Sequence, residues 1–397
     1  MMASIVAARE GAYVTLFEGG DRVGKKILST GNGKCNLSNL DLDVDKYYCR
    51  DKEKLAACLE SFDAEDAVRF FASLGMLVKS KGGYLYPASE QASTVLDVLR
   101  CELKCLHVNL ISECKISSVR VVENGRQIEV SDGRKVYLFD KVIIACGGKA
   151  APKTGSDGSG FRLAKQLGHK VIPTVPALVQ LTCQEDYLKS VSGVRCEGEI
   201  KVWQGNHEII SERGEIQLTD YGISGIPVFQ ISRVVNYLLL KEKEIKVVLN
   251  LMPDYDDDTF DVMKAGRNLL QNGKTTEEFF TGLLNKKIMM LFVKMAGLKL
   301  TQPIEEADPV NIKKVYDLCR HWELHVNGNK SFDHAQVCAG GVDFSELTKD
   351  MESRLVPGIF FAGEIIDVDG LCGGYNLHWA WCSAYLSGMA ATKTTRN

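Results

Sequence analysis

The residues best suited to chemistry lie toward the two ends of the chain. Near the front, GGDRVGKKILSTGNGKCNLSN (Gly19–Asn39) gathers five glycines with Lys25, Lys26 and Lys34. Glycine lets backbone N–H groups come close to an anion and the lysines add charge, so this segment suits a pyrophosphate or the edge of a flat ring. Just before it, YVTLFE (Tyr13–Glu18) reads as a short buried strand ending in a carboxylate. A dinucleotide-binding βαβ unit places an acid there for the ribose hydroxyls, although a Glu after a strand is as often an ordinary surface residue. Mid-chain, KVIIACGG is a continuous apolar strand ending in Gly147-Gly148, at the carboxyl edge where open α/β sheets take cofactors. Near the far end, IFFAGEIIDVDG runs into LCGGYNLHWAWCSAYLSGMAA, a buried strand, an acidic loop, a Gly-Gly pair and an amphipathic helix beginning near Asn376. A helix start offers unpaired N–H groups and a positive dipole end, matched to the electron-rich N1 and C2 carbonyl edge of a reduced flavin. Glu364 and Asp367 could bind ribityl hydroxyls.

These segments need a framework. Apolar spacing predicts a helix from Met1 to Gly11 and amphipathic helices over about 51–75 and 89–106, the last with Ser89 as N-cap, flanking a hairpin at KGGYLYP. Three strands follow at 114–121, 126–131 and 135–140, joined by turns at Asn124-Gly125 and Asp132-Gly133. After KTGSDGSG comes a helix to about Leu167. From Ala177 to Leu251 the pattern turns to β-type runs with one helix near Pro227–Leu240, which predicts a small barrel or sandwich. Residues 253 to 320 read as mostly helical. Thr275 and Glu278 form a capping box for a Phe-, Leu- and Met-rich helix that Gly297 ends. Met289, Met290 and Met295 are expected in packing, and Lys286, Lys287, Lys294 and Lys299 on a solvated face.

Bulk composition excludes several classes. The 397 residues are 45% apolar and 25% charged, ordinary for a folded protein of two or three domains. With 48 basic against 51 acidic side chains, nothing draws the whole chain to polyanions or anionic lipid. The 13 cysteines show no CxxC spacing and no histidine cluster, so neither a metal site nor a disulfide framework is expected. Reduced thiols and the lack of a long apolar run predict a cytoplasmic protein without a membrane span.

Five ordered segments, GKKILSTGNGKCNLSN, ACGGKAAPKTGSDGSG, CAGGVDF, MESRLVPGIFFAGEIIDVDG and CGGYNLHWAW, together resemble the YhiN/BaiN family of NAD(P)/FAD-dependent oxidoreductases, also called aminoacetone-oxidase-like. The likeness covers essentially the whole chain. It implies an α/β fold: a Rossmann-like FAD-binding domain of glutathione-reductase type, interrupted by a β-barrel domain that carries a helical insertion. The expected boundaries are 1–175 and 336–397 for the FAD domain, 176–252 and 320–335 for the barrel, and 253–319 for the helical insertion. It further implies Glu18 on the adenosine ribose and Ile116 by the adenine. Lys26, Ser29, Gly31, Gly33, Lys34, Cys35 and Asn36 fall near pyrophosphate and flavin, and Gly147 and Gly148 at the sheet edge. Gly363, Glu364, Asp367, Gly373, Gly374, Asn376 and Leu377 close over the ribityl chain and ring. Relatives open with a strand and a GxGxxG turn resembling VIVIGGGAAG directly before the segment matching MMASIVAAREG. The expectation is therefore a chain lacking that first strand, through a misplaced start codon or partial gene, and binding FAD less well.

The activity implied is reduction of an activated C=C bond on a small organic substrate lying between the flavin domain and the insert, with NADH or NADPH as candidate donor. The alternatives are dihydrouridine synthesis on ribosomal RNA, oxidation of a small amino ketone, and an inactive remnant. The sequence fixes no catalytic acid or base. Tyr84, Tyr86, Tyr375 and His378 are candidate proton donors, while Cys35 and Cys372 read better as small packing residues.

Overall fold

Short apolar runs form parallel strands, and two such pairs organise this chain, with Ile359–Phe361 the one strand of the four that is buried throughout. Thr15–Phe17 pairs with Asn109–Ile111, and Val142–Ile144 pairs with Ile359–Phe361, which joins the middle of the sequence to its last sixty residues. A computed structural model describes residues 1–122, 127–241, 244–269 and 271–393; the turn expected at Asn124-Gly125 falls outside the described residues. The chain divides into two units, Met1–Pro176 with Phe332–Asn397, and Ala177–Ser331.

In the first unit, three antiparallel strands, Ser118–Val121, Ile128–Ser131 and Val136–Phe139, form the expected meander. A hairpin of Val78–Lys81 and Tyr84–Pro87 is extended by Ser38–Asn39. Its turn is Gly82-Gly83, both left-handed (φ 59° and 87°). The helix expected over 51–75 is two helices, Lys52–Ser61 and Ala64–Ser73, because Phe62 is extended and Asp63 starts a new helix with a reciprocal capping box to Asp66. Ser89 is not the cap of the next helix. Gln91 occupies that position before Ala92–Cys105, and the Ser89 hydroxyl instead bonds Gln91 N and Thr94 Oγ1. Within Gly19–Asn39, Lys25–Gly33 winds into 3-10 turns broken at Thr30–Asn32.

The final helix, Tyr375–Thr392, departs most from expectation. It is not amphipathic: His378, Trp379, Trp381, Cys382, Ser383 and Ala384 are all buried, so it runs through the interior with apolar contact on every side. Gly388 permits this, because a methyl group there would lie 2.9 Å from Ala3 O and from Val6 Cβ of the helix Met2–Arg9.

The second unit is a closed barrel whose strands run in the order Leu181–Cys183, Gly222–Gly225, His207–Leu218, Arg195–Gln204, Ile245–Asn250 and Trp322–Asn329. Alternate residues such as Ile200, Val202, Val247, Leu249 and Leu324 fill it without exposure, together with Val228, Ile231 and Val235 from the helix Ile226–Leu239. The Thr275–Glu278 capping box is present, but the helix it opens ends at Phe280, and a second helix, Lys286–Met295, starts from an Asn285 cap. Met289 is buried, while Lys286 pairs with Glu277 at 2.9 Å. Among the described residues, no helix is long and apolar enough to cross a membrane, and no group of three or more His, Cys, Asp or Glu could hold a metal ion.

Candidate cofactor-binding site

The candidate residues lie in the first unit and fall into three clusters joined end to end. The first forms around Glu18, just past the strand Thr15–Phe17. Its backbone accepts from Cys114 N at 2.9 Å, and its Oε1 accepts from Gly20 N at 2.7 Å. A methyl group on Gly155 would sit 3.8 Å from that oxygen. Ile116 is half-buried two residues beyond Cys114, next to Lys115, which pairs with Asp157.

The second cluster centres on Glu364. Its Oε2 accepts from Lys26 Nζ at 2.8 Å and Gly148 N at 3.0 Å, and its Oε1 accepts from Cys338 N at 3.0 Å. One carboxylate thus ties the 3-10 turn, the end of the strand Val142–Ile144 and the strand Val337–Val342 together. Gly147 (φ 70°) links this cluster to the first, because a methyl group there would lie 3.2 Å from Ser156 Oγ and 3.8 Å from Glu364 Oε2. Gly148 can be nothing larger: its Cβ would be 2.5 Å from Cys338 Cβ. Gly363 N donates to Ser383 Oγ at 2.9 Å, which fixes the Glu364 turn to the final helix.

The third cluster closes the line. The 3-10 segment that carries Lys26 and Ser29 continues to Gly31, whose missing Cβ would lie 2.8 Å from Asn36 N. Gly31, Asn32, Gly33 and Cys35 are all left-handed, a strained run of the kind found at ligand sites. Asn36 Oδ1 is buried without a hydrogen-bond partner, and a Cβ on Gly374 would meet it at 2.8 Å. Gly374 is the N-cap of the final helix, so the N–H groups of Tyr375, Asn376 and Leu377 precede its first intrahelical bond, His378 N to Gly374 O at 2.9 Å.

Several candidate side chains are already engaged. Lys34 pairs with Glu90 at 2.8 Å, and the two lysines Lys34 and Lys79 hold the Glu90 carboxyl down to about 2. The Asn376 amide is spent on the loop before it, accepting from Gly370 N at 2.8 Å and donating to Gly370 O at 2.7 Å. Asp367 is buried, with its N–H bonded to Val342 O at 2.9 Å. Burial pushes the thiols of Cys35 and Cys372 up to about 11 and about 12, where neither is a thiolate at neutral pH. His378 is buried between Ser38 Oγ (2.9 Å from Nδ1) and Phe62 O (3.1 Å from Nε2), and burial pulls it down to about 4. The neutral ring with hydrogen on Nε2 satisfies both partners, so His378 holds Ser38 in place rather than shuttling protons. Sequence reading missed Glu364 as a tie between segments, because its donors lie 338, 216 and 26 residues away.

The two glycine cradles, the orphaned Asn36 oxygen and the open helix start fit an elongated dinucleotide with a flat heterocyclic end. The two parallel strand pairs end at the first two clusters, and the barrel falls in sequence between the strands of the second pair, which is the layout of a Rossmann-type FAD-binding oxidoreductase. The chain belongs to the HI0933-like protein Rossmann domain family, whose model matches residues 1–390. It is 40% identical to the 3-dehydro-bile acid delta(4,6)-reductase of Clostridium scindens over 99% of this chain and 96% of that protein. It is also 29% identical to the ribosomal RNA dihydrouridine synthase of Haemophilus influenzae (97% of this chain, 94% of that one) and 30% identical to that of Escherichia coli (97% and 93%).

Proposed function

We propose that the protein reduces an activated C=C bond of a small, largely apolar ketone, with FAD held along the three clusters and NADH or NADPH as electron donor. The observation that carries this is the Asn36 oxygen, buried without a donor opposite Gly374 at the helix start. A buried acceptor left unpaired costs about 1–3 kcal/mol, so the notch is built for a ring edge that supplies an N–H there and carbonyl oxygens to the open helix N–H groups. Glu18 and Ile116 would hold the adenosine end, Gly147 and Gly148 the pyrophosphate region, and Gly31, Asn36, Gly374 and Leu377 the ring. When bound, the flavin would supply a hydride equivalent to the electron-poor carbon of the double bond, and the other carbon of the resulting enolate would take its proton from solvent. The protein's part is to seat the ring against backbone donors and to hold the ketone beside it.

The bile-acid reductase relative supports this choice over RNA, and so does the charge of the second unit. Residues 177–331 contain 19 Lys and Arg against 22 Asp and Glu. Many of those cations are already matched to acids, as in Arg195–Glu215, Lys246–Glu323, Lys286–Glu277 and Arg320–Asp257. A polyanion gains little from such a surface. None of the cysteines is joined in a disulfide, which suits the reducing cytoplasm. The test is anaerobic reduction of the flavoprotein with NADH or NADPH, then reoxidation by a conjugated ketone, by oxygen or by unmodified ribosomal RNA. The ketone is expected to restore the oxidised spectrum; recovery with the RNA and not the ketone would overturn the proposal.

A further inference from the structure

The strand Tyr84–Pro87 turns one face inward and the other to solvent. Leu85 is buried, whereas Tyr84 is 42% exposed and Tyr86 stands on the same side two residues on. Register sets Tyr84 opposite Asn39, whose Nδ2 donates to Gly373 O at 3.0 Å. The Tyr84 ring lies against Gly373 itself: a methyl group there would be 3.1 Å from its Cε1. At the other end of this face, Tyr86 lies within electrostatic reach of Lys34 and Glu90. The two phenols therefore run from the start of the final helix to the Gly31–Asn36 loop, the two segments assigned to the flavin ring. Leu40, 56% exposed, is fixed beside them by its N–H to Gly83 O at 2.9 Å.

Among these tyrosines the hydroxyls differ in use. Tyr47 OH donates to Tyr375 O at 3.0 Å, and Tyr375 is buried. Tyr84 OH has no hydrogen-bond partner among the described residues and reaches solvent beside the glycine pair. We propose that Tyr84 binds the substrate's carbonyl, donating a hydrogen bond to the oxygen of a cyclic conjugated ketone whose flat apolar body rests on Leu40 and the tyrosine face. The inference builds on the reductase reading above. A donor on that oxygen draws electron density from the double bond, and the bond strengthens as negative charge gathers on the oxygen during reduction. Removing such a donor lowers the rate at saturation far more than it weakens ground-state binding.

The test uses the full-length flavoprotein as wild type, Tyr84→Phe and Leu40→Ser, with a 3-oxo-4,6-diene bile acid as probe. Binding is read by quenching of flavin or tryptophan fluorescence, and the rate from single turnovers. Tyr84→Phe is expected to keep its flavin content, to weaken binding by roughly threefold to tenfold, and to slow the saturated rate by roughly 100-fold. Leu40→Ser is expected to weaken binding while leaving the saturated rate within about twofold. If Tyr84→Phe matches wild type in both binding and rate, the assignment is wrong. If the wild type binds the steroid without reducing it, the reductase reading fails on its own account, and the binding comparison alone then decides Tyr84: equal affinity in the two proteins rejects it.

Discussion

Replacing Glu364 by alanine should destabilise the first unit far more than replacing its partner Lys26 by methionine. The carboxylate takes one ammonium and two backbone N–H groups, from Lys26, Gly148 and Cys338, at 2.8, 3.0 and 3.0 Å. Truncation leaves all three donors without it. A buried N–H with no acceptor costs about 1–3 kcal/mol, and a hydrogen bond to a charged group contributes about 1.5–3. The Lys26 and Glu364 side chains are 29% and 19% exposed, so water can rehydrate the ammonium and the ion-pair share falls to about 1 kcal/mol or less. Two backbone donors to a charged acceptor and the ion-pair share together come to about 3–7 kcal/mol, a large part of the roughly 5–15 kcal/mol that holds a folded protein together. Glu364→Gln keeps one acceptor oxygen but turns an NH2 toward a donor, so about 2–3 kcal/mol is expected. Lys26→Met removes only the cation and should cost about 1 kcal/mol or less. Urea unfolding followed by circular dichroism gives the midpoints, with unchanged slopes marking true stability differences. The order alanine, glutamine, then Lys26→Met is the signature of a carboxylate that serves backbone groups first. Equal losses from Lys26→Met and Glu364→Ala would show that only the ion pair matters, and a loss under about 0.5 kcal/mol for Glu364→Ala would remove the argument altogether.

His378 gives a pH dependence. Its folded value, about 4, lies below the ordinary 6.5, so the unfolded chain takes up the proton first as pH falls. The contribution is complete above about pH 6.5 and is lost progressively toward pH 4, by roughly 3 kcal/mol in all. His378→Asn should flatten that part of the stability curve, and parallel wild-type and variant curves between pH 4 and 7 would count against a buried neutral ring. Gly148→Ala must displace Cys338 or Glu364, whose Cβ and Oε2 would lie 2.5 and 3.0 Å from the new methyl group. About 1–3 kcal/mol of stability and most co-purifying flavin should go, read by the urea midpoint and the visible absorbance of the purified protein; full flavin content would refute the cradle.

What the sequence made legible is what depends on near neighbours. Gly147-Gly148 and Gly373-Gly374 announce themselves because only glycine tolerates φ of 70° or 95° beside a close-packed partner, and the Thr275–Glu278 box needs only three residues of spacing. The final helix was misread as amphipathic because its own pattern cannot reveal what packs around it; Ser383 and Ser387 look like a polar face, yet both are buried with their hydroxyls bonded to carbonyls of the same helix. The charged candidates were legible as a set but not in their use. Lys26 faces Glu364, Lys34 faces Glu90, and Asn376 is turned back on Gly370, all through partners that local sequence does not show. Once those side chains are accounted for, what remains open along the line of three clusters is mainly backbone: the N–H groups of the helix start, the glycine cradles and the single Asn36 oxygen. Recognition built that way depends on chain geometry more than on side-chain identity. Substitutions that move the backbone at Gly148 or Gly374 should therefore cost more flavin binding than loss of the Lys34 charge, and Lys34→Met set beside Gly374→Ala, compared by retained flavin, separates the two accounts directly.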